Sequence, residues 1–285
     1  MKTLPFRLGY ATSGFAHHRL EDALLVLAKI GYRAVSLTLD VAHLDPFARD
    51  LPSRVRALAA ILRELDFAVV VETGARFLLD RETKHAPTLL SREGGDRREA
   101  FLATAIEVAA ELGADAVSLW SGAKDPDQSD AEADGRLLDR LGRTIARAQR
   151  AGVDLAFEPE PGMHVATVAQ WRALDAALGA PARFGVALDV GHVLANDEGD
   201  PAAATRGLAD RLVTVAIEDM RRGVHEHLPF GEGHLDVPAV FDALEDAAYA
   251  RIVSVELPRQ SHDAVRTARR SAEILSALGA ELRPR

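Results

Sequence analysis

The sequence contains no cysteine, so it can form neither disulfide bonds nor thiolate metal sites. Any metal ion must therefore be bound by histidine and carboxylate side chains. Lysine is also scarce, since the chain has only Lys2, Lys29, Lys84 and Lys124. None of these lies at the end of a predicted strand, where a buried amine of low pKa would be needed, so we exclude a Schiff-base aldolase.

An excess of basic residues is missing as well. The formal net charge is −9, which argues against a dedicated nucleic-acid-binding protein, although a local basic patch is compatible with it. No apolar run reaches the length of a membrane span, and the first ten residues lack the apolar core of a signal peptide. The sequence therefore predicts a cytoplasmic enzyme or binding protein with no membrane or nucleic-acid partner. A homo-oligomer is compatible with the sequence.

Short β-rich runs alternate with longer helical segments rich in Ala, Leu and Arg. The predicted strands cover residues 6–10, 34–39, 67–72, 116–120, 154–158, 184–189, 212–217 and 251–256. The predicted helices cover residues 19–30, 53–65, 97–112, 134–151, 167–178, 201–210, 237–248 and 263–279. Eight such pairs predict an α/β fold, a (β/α)8 TIM barrel forming a single domain over residues 1–285. An open doubly wound sheet is the alternative, but no glycine-rich nucleotide fingerprint follows any strand.

All ten histidines are predicted to lie in or beside the loops that follow strands, and none in a helix interior. In a barrel these loops form the face that carries the active site. The histidines are His17, His18, His43, His85, His164, His192, His225, His227, His234 and His262. Their placement indicates that this face binds a ligand, although histidine also tolerates loops for structural reasons.

We single out the acidic side chains that end the predicted strands 154–158, 184–189 and 251–256. Glu158 follows an apolar run in "AFEPEPG", and Glu256 has the same setting in "VSVELPR". Asp189 and His192 have D-x-x-H spacing in "LDVGH", a mixture that suits Mn²⁺, Mg²⁺ or Zn²⁺. Two glutamates facing each other across a barrel mouth can serve as an acid and a base at adjacent carbons. The structural alternatives are a solvated loop charge for Glu158 or Glu160 and a helix cap for Asp189.

The segment "GVHEHLPFGEGH" (223–234) places three histidines after strand 7. We expect only one of His225 and His227 to face the barrel axis. The other, together with His234, is then a hydrogen-bonded loop residue. The Gly-Glu-Gly turn allows the loop to fold back over the rim.

Four segments together resemble the xylose isomerase-like TIM barrel superfamily, which includes sugar isomerases and epimerases, inosose dehydratases and endonuclease IV-type enzymes. They are "FEPEPG" (157–162), "LDVGH" (188–192), "IEDM…HEHLPFGEGHLD" (217–236) and "SVELP" (254–258). The resemblance covers essentially the whole chain. It implies an isomerase or epimerase that acts on a sugar, sugar phosphate or polyol through a cis-enediolate.

The resemblance also implies a metal site, which differs here at one position. The family uses a Glu after strand 5, an Asp after strand 6, a His on strand 7 and a Glu after strand 8. Glu158, Asp189 and Glu256 match, but Ala216 stands in the place of the histidine. Endonuclease IV-type members carry Asp-x-His before their Gly-Glu-Gly turn, so we expect His227 first, and His225 second, to replace the missing ligand.

His192 matches the D-x-x-H histidine of those members. The resemblance casts Glu158 and Glu256 as the catalytic pair beside a divalent ion. Mn²⁺ is the first choice, and Zn²⁺, Mg²⁺ or Co²⁺ also fit.

Further side chains at the mouth are candidates for substrate binding, although each also has a structural interpretation. They are His17, His43, His85, Trp120 and Arg259, with Phe15 as a second aromatic surface. A phosphoesterase of the endonuclease IV type is the alternative function, with His43 and His85 as additional zinc ligands. A non-catalytic metabolite-binding barrel is the third, and Ala216 favours it.

Overall fold

The computed structural model describes residues 5–279. Eight parallel strands form a closed barrel in the order β1 to β8, in which each strand pairs with its sequence neighbours and β1 pairs with β8. The strands are β1 (Arg7–Ala11), β2 (Ala34–Thr38), β3 (Ala68–Glu72), β4 (Ala116–Leu119), β5 (Leu155–Phe157), β6 (Phe184–Asp189), β7 (Leu212–Ile217) and β8 (Ile252–Val255). The predicted TIM barrel is confirmed, and its strands end within two residues of the predicted positions.

Helices surround the barrel and connect its strands. They are α1 (Leu20–Ile30), α2 (Leu51–Glu64), α3 (Gly95–Leu112), α4 (Asp130–Ala151), α5 (Val168–Ala177), α6 (Val190–Ala195), α7 (Pro201–Gly207), α8 (Val237–Asp246) and α9 (Ala264–Ala277), with 3-10 turns at Thr12–Phe15 and Pro258–Asp263. Glycines Gly31, Gly113 and Gly152 end α1, α3 and α4 with positive φ, a backbone conformation that other residues rarely adopt.

The prediction of eight helices was wrong at α6, which begins directly after β6. This helix has only six residues, too few to show a helical period in the sequence. His192 lies within it, so the expectation that no histidine occupies a helix interior was also wrong. Asp189 caps α6, because its Oδ1 accepts hydrogen bonds from the backbone N–H groups of Gly191 and His192 at 2.7 and 3.1 Å.

The strands are apolar on both faces, as parallel strands covered by helices should be, but the two faces differ in residue size. Large side chains such as Val215, Ile217 and Val255 point outward and join the core beneath the helices. Small residues point inward, among them Ala156 and Ala187, which belong to a separate buried cluster. The barrel axis is therefore open enough at its upper end for a cavity. Within residues 5–279, no helix is both long and apolar enough to cross a membrane.

Candidate active site

The C-terminal ends of the strands surround a cavity of about 490 Å³. Side chains alternate along a strand, so a residue two positions beyond a small inward residue also faces the axis. This places Glu158 above Ala156 and Asp189 above Ala187, and both acids line the cavity. Glu256 follows β8 by the same rule and lines the cavity too.

Glu158, Asp189 and Glu256 form the carboxylate triad of the site. One oxygen from each lies within 4.8 Å of the others. The backbone fixes them in place, because Glu158 N–H donates to the Leu119 carbonyl at 2.8 Å and Glu256 N–H donates to the Ile217 carbonyl at 3.3 Å. The structure therefore brings together the three acids selected from the sequence, at the C-terminal ends of β5, β6 and β8.

His192, His225 and His227 form a histidine cluster beside the triad. Their ring centroids are 4.8 Å apart for His192 and His225, 5.3 Å for His225 and His227, and 6.0 Å for His192 and His227. One nitrogen from each ring lies within 4.8 Å of the others. The expectation that only one of His225 and His227 faces the axis was wrong, since both line the cavity. His234 is the hydrogen-bonded loop residue that we predicted, and its Nδ1 accepts from the Arg222 backbone N–H.

Ala216 lies on β7 between Asp189 and Ser254 in the sheet register. It lines the cavity, so an imidazole at this position would point at the carboxylate triad. His227 reaches the same region from the loop after β7, and its side chain is 12 % exposed. His192 is closer still to one member of the triad, since its Nε2 is 3.3 Å from Asp189 Oδ2.

Burial and repulsion from neighbouring carboxylates shift the pKa values of the glutamates upward. The pKa of Glu158 lies well above its ordinary value because of burial and the neighbouring Glu160, and burial raises the pKa of Glu256. Glu160 has a pKa of about 8, from burial and from Glu256. Burial alone would raise the pKa of Asp189, but the nearby His192 and other hydrogen-bonding and charged groups hold it below its ordinary value.

Burial has the opposite effect on the histidines, because it disfavours their charged form. It lowers the pKa of His192, and it lowers that of His225 to about 4 with a contribution from the neighbouring imidazoles. Neutral imidazole is the form that binds metal ions.

The donor atoms of the site fit a divalent cation. Asp189 Oδ2, His192 Nε2, His225 Nε2 and His227 Nδ1 are buried and have no hydrogen-bond partner in the described part of the chain. Unpaired buried polar atoms are costly, and a cation would satisfy several of them at once. Carboxylate and imidazole together suit Mn²⁺ or Zn²⁺.

Three acids of this region were not selected from the sequence. Glu72 ends β3 and bonds the Thr38 hydroxyl at 2.9 Å, and burial together with Glu256 raises its pKa to about 8. The signal was present, because "AVVVE" ends a strand in the same way as the segments before Glu158 and Glu256. Glu160 was considered only as a solvated charge, yet its side chain is 20 % exposed and lines the cavity. Glu218, two residues beyond Ala216 on the inward face, is fully buried.

The candidate substrate-binding residues divide into two groups. His85, Trp120 and Arg259 line the cavity. His17 is exposed and His43 is buried, and neither lies among the residues that line the cavity. His43 Nε2 is instead 3.2 Å from the Phe15 carbonyl oxygen. Phe15 itself is fully buried and packs against Tyr10, so it offers the cavity no aromatic face.

Trp120 is held from behind by Arg98, a residue that sequence reasoning did not single out. The Arg98 guanidinium is 4.5 Å from the Trp120 ring centroid, and it donates to the Thr73 carbonyl at 2.8 Å. Burial lowers the pKa of Arg98 to about 9. The His85 ring meets the indole edge-to-face at 5.3 Å, so Trp120 is a fixed apolar wall of the cavity.

The loop that carries His225 and His227 is anchored by Asp219. Oδ1 of this buried carboxylate accepts from the backbone N–H groups of Met220 and Leu235 at 3.0 and 2.9 Å, and Oδ2 accepts from Gly231 at 2.8 Å. We expect Asp219→Ala to lower the free energy of unfolding by about 3 kcal/mol, because it leaves several partly buried donors unpaired. Denaturant unfolding monitored by circular dichroism measures this loss.

Asp236→Ala is the matched control for this prediction. Asp236 caps α8 through a single hydrogen bond, from Ala239 N–H at 3.0 Å in an exposed position. Its removal should cost about 1 kcal/mol. A loss for Asp219→Ala no larger than that of the control would contradict the anchoring role.

Comparison with known proteins identifies relatives of low sequence identity. L-ribulose-5-phosphate 3-epimerase UlaE of Escherichia coli strain SMS-3-5 is 25 % identical over 239 residues, which are 83 % of this chain and 81 % of the relative. UlaE of Shigella flexneri serotype 5b is 26 % identical over 237 residues, which are 82 % of this chain and 80 % of the relative.

Solved structures share the fold over nearly the full length. An L-ribulose 3-epimerase has a TM-score of 0.76 at 21 % identity and covers 96 % of this chain and 94 % of its own. The D-allulose 3-epimerase of a Methylomonas species, in complex with D-allulose, has a TM-score of 0.75 at 19 % identity, with 96 % and 97 % covered. A family model described as xylose isomerase-like TIM barrel matches residues 24–278. The chain therefore belongs to the xylose isomerase-like TIM barrel family.

Proposed function

We propose that this protein is a divalent-metal-dependent 3-epimerase of a ketose or ketose phosphate. The observation that carries the proposal is the carboxylate triad, which places Glu158 and Glu256 on different strands within 4.8 Å of Asp189 and of each other. The names of the similar proteins, which are sugar 3-epimerases, support the reaction type.

Epimerisation at carbon 3 requires a base on one side of the carbon and an acid on the other. One glutamate, as a carboxylate, takes the carbon-bound proton, and the second, as a carboxylic acid, returns a proton to the opposite face of the enediolate. Their raised pKa values support this division, since burial, together with neighbouring carboxylates, favours the protonated form of each acid. In the reverse direction the two residues exchange roles.

Glu158, Asp189 and Glu256 would hold the cation, with an imidazole from His192 or His227. When bound, the ion would polarise the carbonyl and hydroxyl oxygens of the substrate. Mn²⁺ is our first choice for a site of carboxylates and imidazole. Trp120 would contact the apolar face of the carbon chain, and His85 and Arg259 would bind hydroxyl or phosphate groups.

The mouth of the cavity also carries Arg76 and Lys84, so both free and phosphorylated sugars are reasonable substrates. The test is incubation of the Mn²⁺-loaded protein in D₂O with ketopentoses and ketohexoses, each as the free sugar and as the terminal phosphate. We expect an epimer labelled with deuterium at carbon 3 alone, detected by NMR. Absence of exchange with every member of the panel would count against the proposal.

The histidine cluster favours a second candidate, a metal-dependent phosphoesterase, because three clustered imidazoles could hold an additional zinc ion. Release of inorganic phosphate or cleavage of a model phosphodiester by the Zn²⁺-loaded protein, with no deuterium exchange, would support this function instead. Tight binding of a metabolite without turnover would support the metabolite-binding barrel.

A further inference from the structure

Glu218 stands out among the acids of the site because no arginine or lysine within residues 5–279 pairs with it. Its side chain is fully buried, and neither carboxylate oxygen has a hydrogen-bond partner within residues 5–279. Its ionisable neighbours are His227, whose Nδ1 is 3.5 Å from Oε1, and the Asp189 carboxyl group, which is close enough to share a proton with it. A buried carboxylate without a counter-charge costs several kcal/mol, so a proton or a cation has to neutralise it.

Three residues with unpartnered polar atoms meet at this place. Asp189 Oδ2 and His227 Nδ1 are buried without hydrogen-bond partners, as are the oxygens of Glu218. One ligand atom from each of the three residues lies within 4.8 Å of the other two. Asp189 is held in position by the two backbone hydrogen bonds to its Oδ1, which leaves Oδ2 without a hydrogen-bond partner. The arrangement is that of three ligands around one point.

Gly191 provides the space for this group. A Cβ atom at position 191 would lie 2.4 Å from Glu218 Oε1, closer than a Cβ atom approaches an oxygen, and 3.1 Å from Asp189 Oδ1, tighter than most such contacts. An alanine at position 191 would therefore require the Glu218 carboxylate to move.

A cation accounts for these atoms better than a proton does. A proton shared between Glu218 and Asp189 would remove one negative charge, but it would leave His227 Nδ1 and an oxygen of Glu218 without a partner. A single divalent ion satisfies all three residues and offsets both charges. Two carboxylates and an imidazole are a donor set that Mn²⁺ and Zn²⁺ accept.

We propose that Asp189, Glu218 and His227 form a second divalent-cation site, joined through Asp189 to the ion at the carboxylate triad. The inference rests on the proposed function and deepens it, since it divides the same site between two ions. It assigns His227 to the second ion and leaves His192, with Nε2 3.3 Å from Asp189 Oδ2, for the first. Replacement of the strand histidine by Ala216 is then accompanied by a different site, built from Glu218 and the loop.

The test measures bound metal directly and needs no substrate. The purified protein is saturated with Mn²⁺ and desalted, and its metal content is determined by elemental analysis together with low-temperature electron paramagnetic resonance. We expect two Mn²⁺ ions per chain with a spin-coupled spectrum. Glu218→Gln should retain one ion and give the six-line spectrum of isolated Mn²⁺.

Glu226→Gln is the matched control, because Glu226 lies in the same loop and pairs with Arg221 at 3.0 Å, outside the proposed ligands. It should retain two coupled ions. His227→Gln is a second test variant should Glu218→Gln not fold, and it should also retain a single ion. One Mn²⁺ per chain in the unmodified protein at saturation, or two in both Glu218→Gln and His227→Gln, would overturn the proposal.

One ion in the unmodified protein, bound more weakly by Glu218→Gln, would identify Glu218 as a hydrogen-bond acceptor that orients His227, and would likewise overturn the second site. The deuterium-exchange assay separates this inference from the proposed function. Two ions without epimerisation leave the cation site standing and remove the 3-epimerase. One ion per chain with epimerisation would support the 3-epimerase and remove the second cation site.

Discussion

We expect Glu158→Gln and Glu256→Gln each to lower the epimerase turnover number by about 10²- to 10⁴-fold, the range typical of the loss of a general acid or base. Glutamine has nearly the shape of glutamate but can neither take nor give a proton at these pH values. The two substitutions should differ in what they leave behind. Each variant should still exchange the carbon 3 hydrogen of one epimer with D₂O, by means of its remaining glutamate, without forming the other epimer.

The pairing of variant with epimer identifies the two roles. Suppose that Glu158 is the base for one sugar and Glu256 is the base for its epimer. Glu158→Gln then exchanges the carbon 3 hydrogen of the epimer alone, and Glu256→Gln exchanges that of the first sugar alone. Both variants are compared at equal metal content, since the same carboxylates are proposed as ligands. Glu226→Gln serves as the control with unchanged turnover. If either substitution leaves more than a tenth of the turnover, the two-glutamate mechanism is wrong.

The sequence was sufficient to predict the barrel and the carboxylate triad because both follow from strand periodicity. Glu158, Asp189 and Glu256 each end a strand whose inward residues are small, so their direction is fixed by alternation. Glu72 and Glu218 obey the same rule and could have been predicted from it. Glu218 was overlooked because its strand was examined for the missing histidine at position 216.

The loop after β7 was predicted less well. It is not a continuous strand, since it begins with Gly223 at φ 75° and pairs with Asp219 only through an isolated bridge at Leu228. Residues two apart in an extended stretch nevertheless share a face, so the prediction that only one of His225 and His227 points inward misapplied this rule. Both rings therefore turn toward His192. Asp189 shows a second reason why sequence reasoning fell short. Helix capping and ligand binding were treated as alternatives for this residue, but one of its oxygens caps α6 and the other is free for a ligand.

The cluster of buried carboxyl groups in the cavity should make the metal-free protein less stable as the pH rises from 6.5 to 8. Burial raises the pKa values of Glu72 and Glu160 from their ordinary value of 4.5 to about 8. Over this interval the folded protein retains protons that the unfolded chain has already released, so the free energy of unfolding falls with increasing pH. Each of the two groups contributes a loss of about 1.5 kcal/mol across the interval. Glu158, Glu218 and Glu256 act in the same direction.

The interval is chosen because the histidines have the opposite effect at lower pH. His225, with a pKa of about 4 in the folded protein, favours folding increasingly as the pH rises toward the ordinary value of 6.5, and it contributes little change above it. Urea unfolding in the presence of EDTA at several pH values, at constant ionic strength, measures the effect. Glu72→Gln should flatten the profile, whereas the exposed Glu107→Gln should leave it unchanged.

Saturating Mn²⁺ should reverse the trend. The cation competes with protons for the same carboxylates, so its binding becomes tighter as the pH rises. At a free concentration about 1,000 times the dissociation constant it adds about 4 kcal/mol to the free energy of unfolding. The difference between the Mn²⁺ and EDTA curves should therefore widen from pH 6.5 to 8. Parallel curves would mean that the ion is not bound by the acids of the cavity, and a rising EDTA curve would mean that these acids are already ionised when the protein folds.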